Sequence, residues 1–395
     1  MYELDQKLIE KIDEFFPICK EIADYMTDHP ETGIDNRLAA DKVTTTLAEQ
    51  GYEITKPYGG LYSAFLAVRK DRLADQGPRA VLMSETDALP EVGHACGHSV
   101  SCAISLLATL ALNAAYPDLP IRMDLMGTPG EEYPGGKCFL VKEGCFDGYE
   151  YAGMVHLNHT SSPDVPFMAC ADDYVTFHGK TAHASIAPEQ GLNALNAARI
   201  FMDAMDLWRQ HLPRYTQHHS IVVNGGALPS VVPDKIELNY YWRAQTVKDL
   251  KILMDRAHEA MQGAAMCTGC TVDWHQQYET YLDLFQNPLS RSTITEIFDA
   301  MEMPYELNDI PSGTSDAGNV DQIIPVFHPL MAATGGKRIP LHDREFQTFM
   351  KTEHGYNALR NGAILLASIA LRMAREPELL AEIQRTHKEY REKNR

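Results

Sequence analysis

The chain of 395 residues is long enough for about two to three domains, and its 23% charged and 45% hydrophobic residues, with 26 Gly and 22 Pro, exclude disorder, collagen-like repeats and coiled coil. Lys plus Arg at 35 against Asp plus Glu at 54 give a net charge of −19, a field that repels phosphate backbones and anionic lipid, so neither nucleic acid nor membrane is an expected partner. No run of about 18 apolar residues occurs, and the charged stretch Met1-Tyr-Glu-Leu-Asp-Gln-Lys7 lacks the apolar core of a signal peptide, so a cytoplasmic location is expected.

Helical spacing of apolar residues over 5–27 and 35–50 predicts two N-terminal helices, punctuated by the segment from Asp28 to Gly33. The short apolar run Arg79–Ser84 reads as a buried strand, and Ser99–Tyr116 as a long apolar helix ended by Pro117. A strand over Ile121–Met126 leads into Gly127-Thr-Pro-Gly-Glu-Glu-Tyr-Pro-Gly-Gly136, followed by a helix over Lys137–Gly144 and a strand over Tyr151–His156. Strands alternating with helices at these lengths predict an α/β layer whose loops after the strands form the functional edge.

The pattern changes near Asp172. Strands over Asp173–His178, Ser220–Asn224, Lys235–Arg243 and Thr271–His275, with helices over Gly191–Arg209 and Val247–Met266, give a β-α-β-β-α-β order and so a ferredoxin-like α+β module. Helix and strand patterns resume after Asn287, and the last stretch is helical, amphipathic and charged. The predicted architecture is a discontinuous α/β domain, residues 1–171 and 287–395, with a small domain inserted at 172–286.

Eight cysteines are too sparse for a disulfide framework, and Cys19, Cys102, Cys138, Cys145 and Cys170 read as buried thiols in apolar stretches. Cys267-Thr-Gly-Cys270 has no second pair to complete a zinc site. Cys96 is different, because it stands between two imidazoles in Gly93-His-Ala-Cys-Gly-His98, where small residues let the backbone approach whatever the side chains hold.

Polar residues follow the strands in order: Glu85, Asp87, His94, Cys96 and His98, then Glu131 and Glu132, then His156. Thiolate, imidazole and carboxylate are ligands for zinc, and carboxylates widen the choice towards manganese. A hydrolytic metal site also needs a carboxylate base not committed to the metal. Adjacent glutamates meet that need when one binds metal and the other takes the proton of the attacking water. Taken singly, the acidic pair reads as solvated loop and each histidine as an ordinary polar residue; their conjunction after three apolar strands points to a metal hydrolase.

Ser84-Glu-Thr-Asp-Ala-Leu-Pro90, Gly93-His-Ala-Cys-Gly-His98, Gly127-Thr-Pro-Gly-Glu-Glu132, Gly179-Lys-Thr-Ala-His-Ala-Ser185, Gly191-Leu-Asn-Ala-Leu195 and Ser312-Gly-Thr-Ser-Asp-Ala-Gly-Asn-Val320 together resemble the aminoacylase and carboxypeptidase family of co-catalytic metallopeptidases. The nearest subgroup is the amidohydrolases of N-acyl amino acids, indoleacetyl-amino acids and p-aminobenzoyl-glutamate, with their β-alanyl dipeptidase-like members. The resemblance runs from about residue 15 to residue 380. It implies a phosphorylase/hydrolase-like catalytic domain carrying a ferredoxin-like lid and dimerisation domain.

By that resemblance Cys96, His98, Glu132, His156 and His342 ligate two divalent ions, zinc or manganese, with Cys96 as bridge, and Glu131 is the general base and acid. His342 carries no signal of its own in the sequence, and His159 and His354 compete with it. Where relatives carry a histidine this chain has Glu85, so Glu85 and Asp87 are expected to orient imidazoles. His183 is similar to a lid histidine that donates to the tetrahedral oxyanion, against a plain reading as a turn histidine. Arg243 and Asp316 are the expected substrate-binding residues, the arginine for a substrate carboxylate. Ser230-Val-Val-Pro-Asp234 departs from the Asn-Val-Ile-Pro-Asp of relatives, which alters the expected substrate contacts.

The expectation is thus metal-assisted hydrolysis of an amide in an N-acyl amino acid, a dipeptide or an aryl-amide-linked amino acid, by a homodimer paired through residues 172–286. Two rivals stand beside it. One is a hydrolytic deaminase of a small aromatic amino acid on the same site; the other is a ligand-binding homologue without catalysis.

Overall fold

The computed structural model describes residues 2–394. The strands are β1 (Tyr52–Thr55), β2 (Phe65–Arg69), β3 (Arg79–Ser84), β4 (Arg122–Gly127), β5 (Ala152–Gly153), β6 (His156–Asn158), β7 (Ala169–His178), β8 (Gln217–Asn224), β9 (Lys235–Ala244), β10 (Thr271–His275), β11 (Val326–Phe327) and β12 (Leu330–Ala332). The chain divides into two compact units, one running to Phe167 and resuming over Leu284–Lys393, the other Met168–Asp283.

The first unit is built on a sheet of order β1-β2-β4-β3-β5-β11, antiparallel across β1, β2 and β4 and parallel from β4 to β11. β3 and β4 carry apolar side chains to both faces, as strands covered on both sides must. The helix His98–Ala115 packs against Gln6–Asp28 and Glu353–Arg375, and nearly every one of its residues is buried. Among the described residues it alone is long and apolar enough to cross a membrane, and here it is the core helix of the unit.

Two local readings are corrected. The run Tyr151–His156 is not one strand: β5 lies in the large sheet, while His156 opens β6, which pairs in parallel with β12. All six residues are buried, so hydrophobicity gives no mark of the change of partner. The antiparallel edge β1–β2, unread in the sequence, fills the stretch before β3.

The second unit is an antiparallel sheet of order β10-β7-β9-β8 against which the helices Ala194–Trp208 and Val247–Thr268 pack. Phe177, Phe201, Tyr240 and Trp242 fill the layer between. Trp242 is fully buried and donates its Nε1–H to Asp173 Oδ2 at 2.9 Å. Each helix starts on a side-chain cap, Asn193 Oδ1 accepting from Leu195 N and Thr246 Oγ1 from Asp249 N, which stabilises it by about 1 kcal/mol. β7 begins at Ala169, before the Asp173 expected, and β8 at Gln217, before Ser220.

Candidate active site

The loops after β3 and β4 meet at the carboxyl edge of the parallel strands. Beyond Ser84 the chain stays inside the protein, with Glu85, Thr86 and Asp87 all buried. Reciprocal bonds between Leu89 and Gly93 then turn it towards Cys96. Gly97 follows with φ of 85°, and a Cβ there would lie 2.9 Å from Leu157. Only glycine satisfies both demands, and it opens the helix on which His98 is the first residue. After β4 the loop closes on itself through Gly135 N and Gly136 N, which donate to Gly130 O at 2.9 and 3.0 Å. A Cβ on Gly136 would sit 1.7 Å from Pro129 O.

Asp87 fastens the second loop to the first. Its Oδ1 accepts from Glu131 N at 3.1 Å and its Oδ2 from Glu132 N at 3.0 Å. Its main-chain carbonyl accepts from His98 Nδ1 at 2.9 Å. His156 Nδ1 is likewise held on Leu157 O at 2.8 Å. With both Nδ1 atoms donating to carbonyls, each ring presents its Nε2 to the other, 3.3 Å apart, and Cys96 Sγ lies 3.5 Å from His156 Nε2. Two imidazole lone pairs and a sulfur facing one another need a cation between them, a proton or a metal ion.

The same cluster extends outward. Cys96, His98 and His156 offer one ligand atom each within 4.8 Å of one another, and so do Cys96, Glu132 and His342, and His98, Glu131 and Glu132. His342 takes a left-handed backbone, φ 69°, donates its N–H to Ala95 O at 3.0 Å, and sets Nε2 3.1 Å from Glu132 Oε1. This donor set fits divalent metal ions of the zinc and manganese class: thiol, imidazole and carboxylate, converging without an internal proton arrangement that pairs them all.

The electrostatics agree. Burial and the Glu132 charge push the Cys96 thiol well up. Burial disfavours a charged His98, yet Glu85, Cys96 and Asp87 more than offset it and raise its pKa. Burial keeps His156 neutral. Burial, with Glu85, Glu132 and Asp316 around it, drives the Glu131 carboxyl well above its ordinary value. Glu132 goes the other way: burial opposes its charge, but the His342 hydrogen bond prevails.

The expected residues fall into three groups. Cys96, His98, Glu131, Glu132, His156 and His342 come together with Glu85 and Asp87, all in the first unit. His183 and Arg243 belong to the second unit. His183 is exposed, its Nδ1 facing Ser185 N and Oγ at 3.4 and 3.3 Å, and Arg243 is half-buried on β9 opposite Cys170. His159 and His354 join none of the ligand sets among the described residues.

Asp316 is fully buried and its carboxylate is engaged by Lys137, Oδ2 accepting from the main-chain N–H at 2.8 Å and Oδ1 from Nζ at 2.6 Å. Glu85 is placed differently from an imidazole-orienting carboxylate. Its Oε2 faces His98 Nε2 at 3.4 Å, on the ligand side of the ring, while Oε1 holds Lys137 Nζ at 2.6 Å.

Two residues escaped the sequence reading. Lys137 is a lysine at the head of an apolar helix, a signal that points to a buried charge. His328, in the apolar run Val326-Phe-His-Pro329, is buried with neither ring nitrogen hydrogen-bonded, stacks on His156 at 6.0 Å, and is pressed by burial to a pKa of about 3.

A family model described as a peptidase dimerisation domain matches residues 172–266. The chain is 32% identical over 340 residues to the Xaa-Arg dipeptidase of Mus musculus, covering 82% of this chain and 79% of that protein. It is 28% identical to one component of the p-aminobenzoyl-glutamate hydrolase of Escherichia coli, over 64% of this chain and 56% of that one. Its fold matches an aminobenzoyl-glutamate utilization protein from Klebsiella pneumoniae, with a TM-score of 0.70, 18% identity and cover of 92% and 98% of the two chains. A dinuclear metal-binding peptidase of the M20 family from Bacillus subtilis matches with a TM-score of 0.67, 17% identity and cover of 91% and 99%. With that extent of likeness to the mouse enzyme and this pairing of catalytic and inserted domains, the chain belongs to the M20 metallopeptidase family, in its amidohydrolase subgroup, and is a hydrolase of amide carbon–nitrogen bonds.

Proposed function

We propose that the substrate is a small molecule bearing a carboxylate, a dipeptide or N-acyl amino acid, and that Cys96, His98, Glu132, His156 and His342 hold two divalent ions, zinc or manganese. The observation that carries this reading is the convergence of His98 Nε2, His156 Nε2 and Cys96 Sγ, each ring locked from behind by a carbonyl. Cys96 belongs to both the His98–His156 set and the Glu132–His342 set, which supports it as the bridge. When bound, such ions lower the pKa of water and polarise a carbonyl.

Glu131 takes the proton of the attacking water and returns it to the leaving amine. Asp87 fixes its backbone, which sets where the carboxylate leaves the loop. Asp87 supports His98 from behind, while Glu85 faces the ligand side of that ring. His183 and Arg243 carry the roles their motifs imply, oxyanion donor and fork for the substrate carboxylate.

The chain pairs with a second copy through the inserted domain. Support comes from the dimerisation-domain match and from Ile221, Val222 and Val223, exposed on the edge strand β8. The acidic balance disfavours nucleic acid and anionic membrane as partners. Metal analysis of the purified protein, followed by assays on dipeptides, N-acetyl amino acids and p-aminobenzoyl-glutamate, tests the reading. Two ions per chain and amide cleavage are expected; ammonia release from an aminoaryl acid would favour a deaminase, and a metal-replete protein inert to the whole panel a binding homologue.

A further inference from the structure

Lys137 has no exposed side-chain surface, and an ammonium so placed is costly unless it is fully compensated. Compensation comes from positions far away in the chain. Nζ lies 2.6 Å from Glu85 Oε1 and 2.6 Å from Asp316 Oδ1, and the Lys137 N–H donates to Asp316 Oδ2 at 2.8 Å. Glu85 and Asp316 are also joined by Glu131, the three offering one oxygen each within 4.8 Å of one another. Three buried carboxylates at that spacing are themselves an oxygen-rich cation site. A divalent ion there would take Glu131 as a ligand and end its use as a base.

We propose that Lys137 is a positioning residue that supplies, as a resident ammonium, the cation of the Glu85–Glu131–Asp316 set, and so keeps Glu131 uncommitted to metal. An ammonium serves this purpose better than an ion from solution. It is tethered, it carries one charge where a metal carries two, and its two short bonds go to Glu85 and Asp316. The helix Gly136–Lys142 carries it in its first turn, directly after the glycine loop that bears Glu131. The role of Lys137 as keeper of the base rests on the reading of Glu131 given above; its role as resident cation does not.

The test uses full-length Lys137→Met and Lys137→Ala, dialysed against Mn2+, with metal counted by elemental mass spectrometry and folding followed by circular dichroism. Both variants are expected to bind one more divalent ion per chain than the native protein. Their kcat is expected to fall by about a hundredfold or more, with KM within about threefold. Methylammonium should restore kcat in Lys137→Ala, where it has room, and not in Lys137→Met. Native metal count together with kcat within threefold of the native value would overturn the proposal.

Should neither variant fold, Mn2+ titration of the native protein still decides, because an additional ion coordinated by Glu85, Glu131 and Asp316 beside an intact Lys137 would also overturn it. Glu131→Gln separates the two readings. Full activity in that variant would remove the base assignment, while the extra ion in Lys137→Met would still establish the resident cation.

Discussion

Asp87 holds Glu131 by its main chain and not by its side chain: Oδ1 accepts from the Glu131 N–H, while Oδ2 accepts from the next amide along, that of Glu132. One carboxylate thus pins two successive peptide units, which fixes where the adjacent glutamate side chains depart from the loop. Glu132 then meets His342, and Glu131 stands among Glu85, Asp316 and His98. The division of labour within Gly130-Glu131-Glu132 is therefore set by a third acid, 44 residues upstream of Glu131.

Glu131→Gln should retain both metal ions and lose about 10²–10⁴ in kcat, the range for removal of a general base. Asp87→Ala should lower metal affinity as well, by about 10–100-fold, since it also frees the loop carrying Glu132. Steady-state kinetics beside metal analysis check the pair. Equal metal loss in both variants would merge two roles that the geometry separates.

Metal binding should release protons, and their number follows from the directions of the shifts. In the metal-free protein near pH 7, Cys96 is raised and so carries its proton, His98 is raised and is imidazolium, and His156 is lowered and neutral. Loading then expels about two protons or more, and affinity rises with pH until both groups titrate on their own. Calorimetry in two buffers of different ionisation enthalpy gives the count. Zero release at pH 7 would contradict the ligand set.

Much of this site is legible along the chain, and the rest is not for a physical reason. Cys96, His98, Glu131 and Glu132 follow apolar strands beside glycines, and His156 closes an apolar run, so local pattern exposes them. His342 has no such neighbourhood; it reaches Glu132 from a left-handed turn more than 200 positions away. The Lys137–Asp316 pairing spans 179 residues and leaves no periodic trace. In the fold the same limit appears at β5 and β6, where uniform burial hides a change of sheet, and at β1, whose four residues give too short an alternation to read.

Gly97→Ala should damage the fold and the site together. The left-handed φ of 85° costs a side chain about 1–2 kcal/mol, and the new Cβ also meets Leu157 at 2.9 Å. A lowered Tm with weakened metal binding is expected, because Cys96 and His98 flank the strained residue. Adding Leu157→Ala should relieve the part of the clash made by Leu157 Cγ and Cδ1, not the part made by its Cβ at 2.9 Å nor the backbone cost, so a double-mutant cycle on thermal unfolding should show partial positive coupling. Strict additivity would mean that the contact plays no part.

Basic dipeptides should be the better substrates. A chain of net charge −19 attracts a cationic group at long range. Long-range attraction acts on encounter and not on the bond-breaking step. The kcat/KM for dipeptides ending in Arg or Lys should therefore exceed that for neutral ones by about tenfold at low salt and converge with it as salt is added, while kcat changes little. A preference that survives high salt would instead place an acidic contact in the pocket itself, and a preference for p-aminobenzoyl-glutamate would reverse the sign of the field argument altogether.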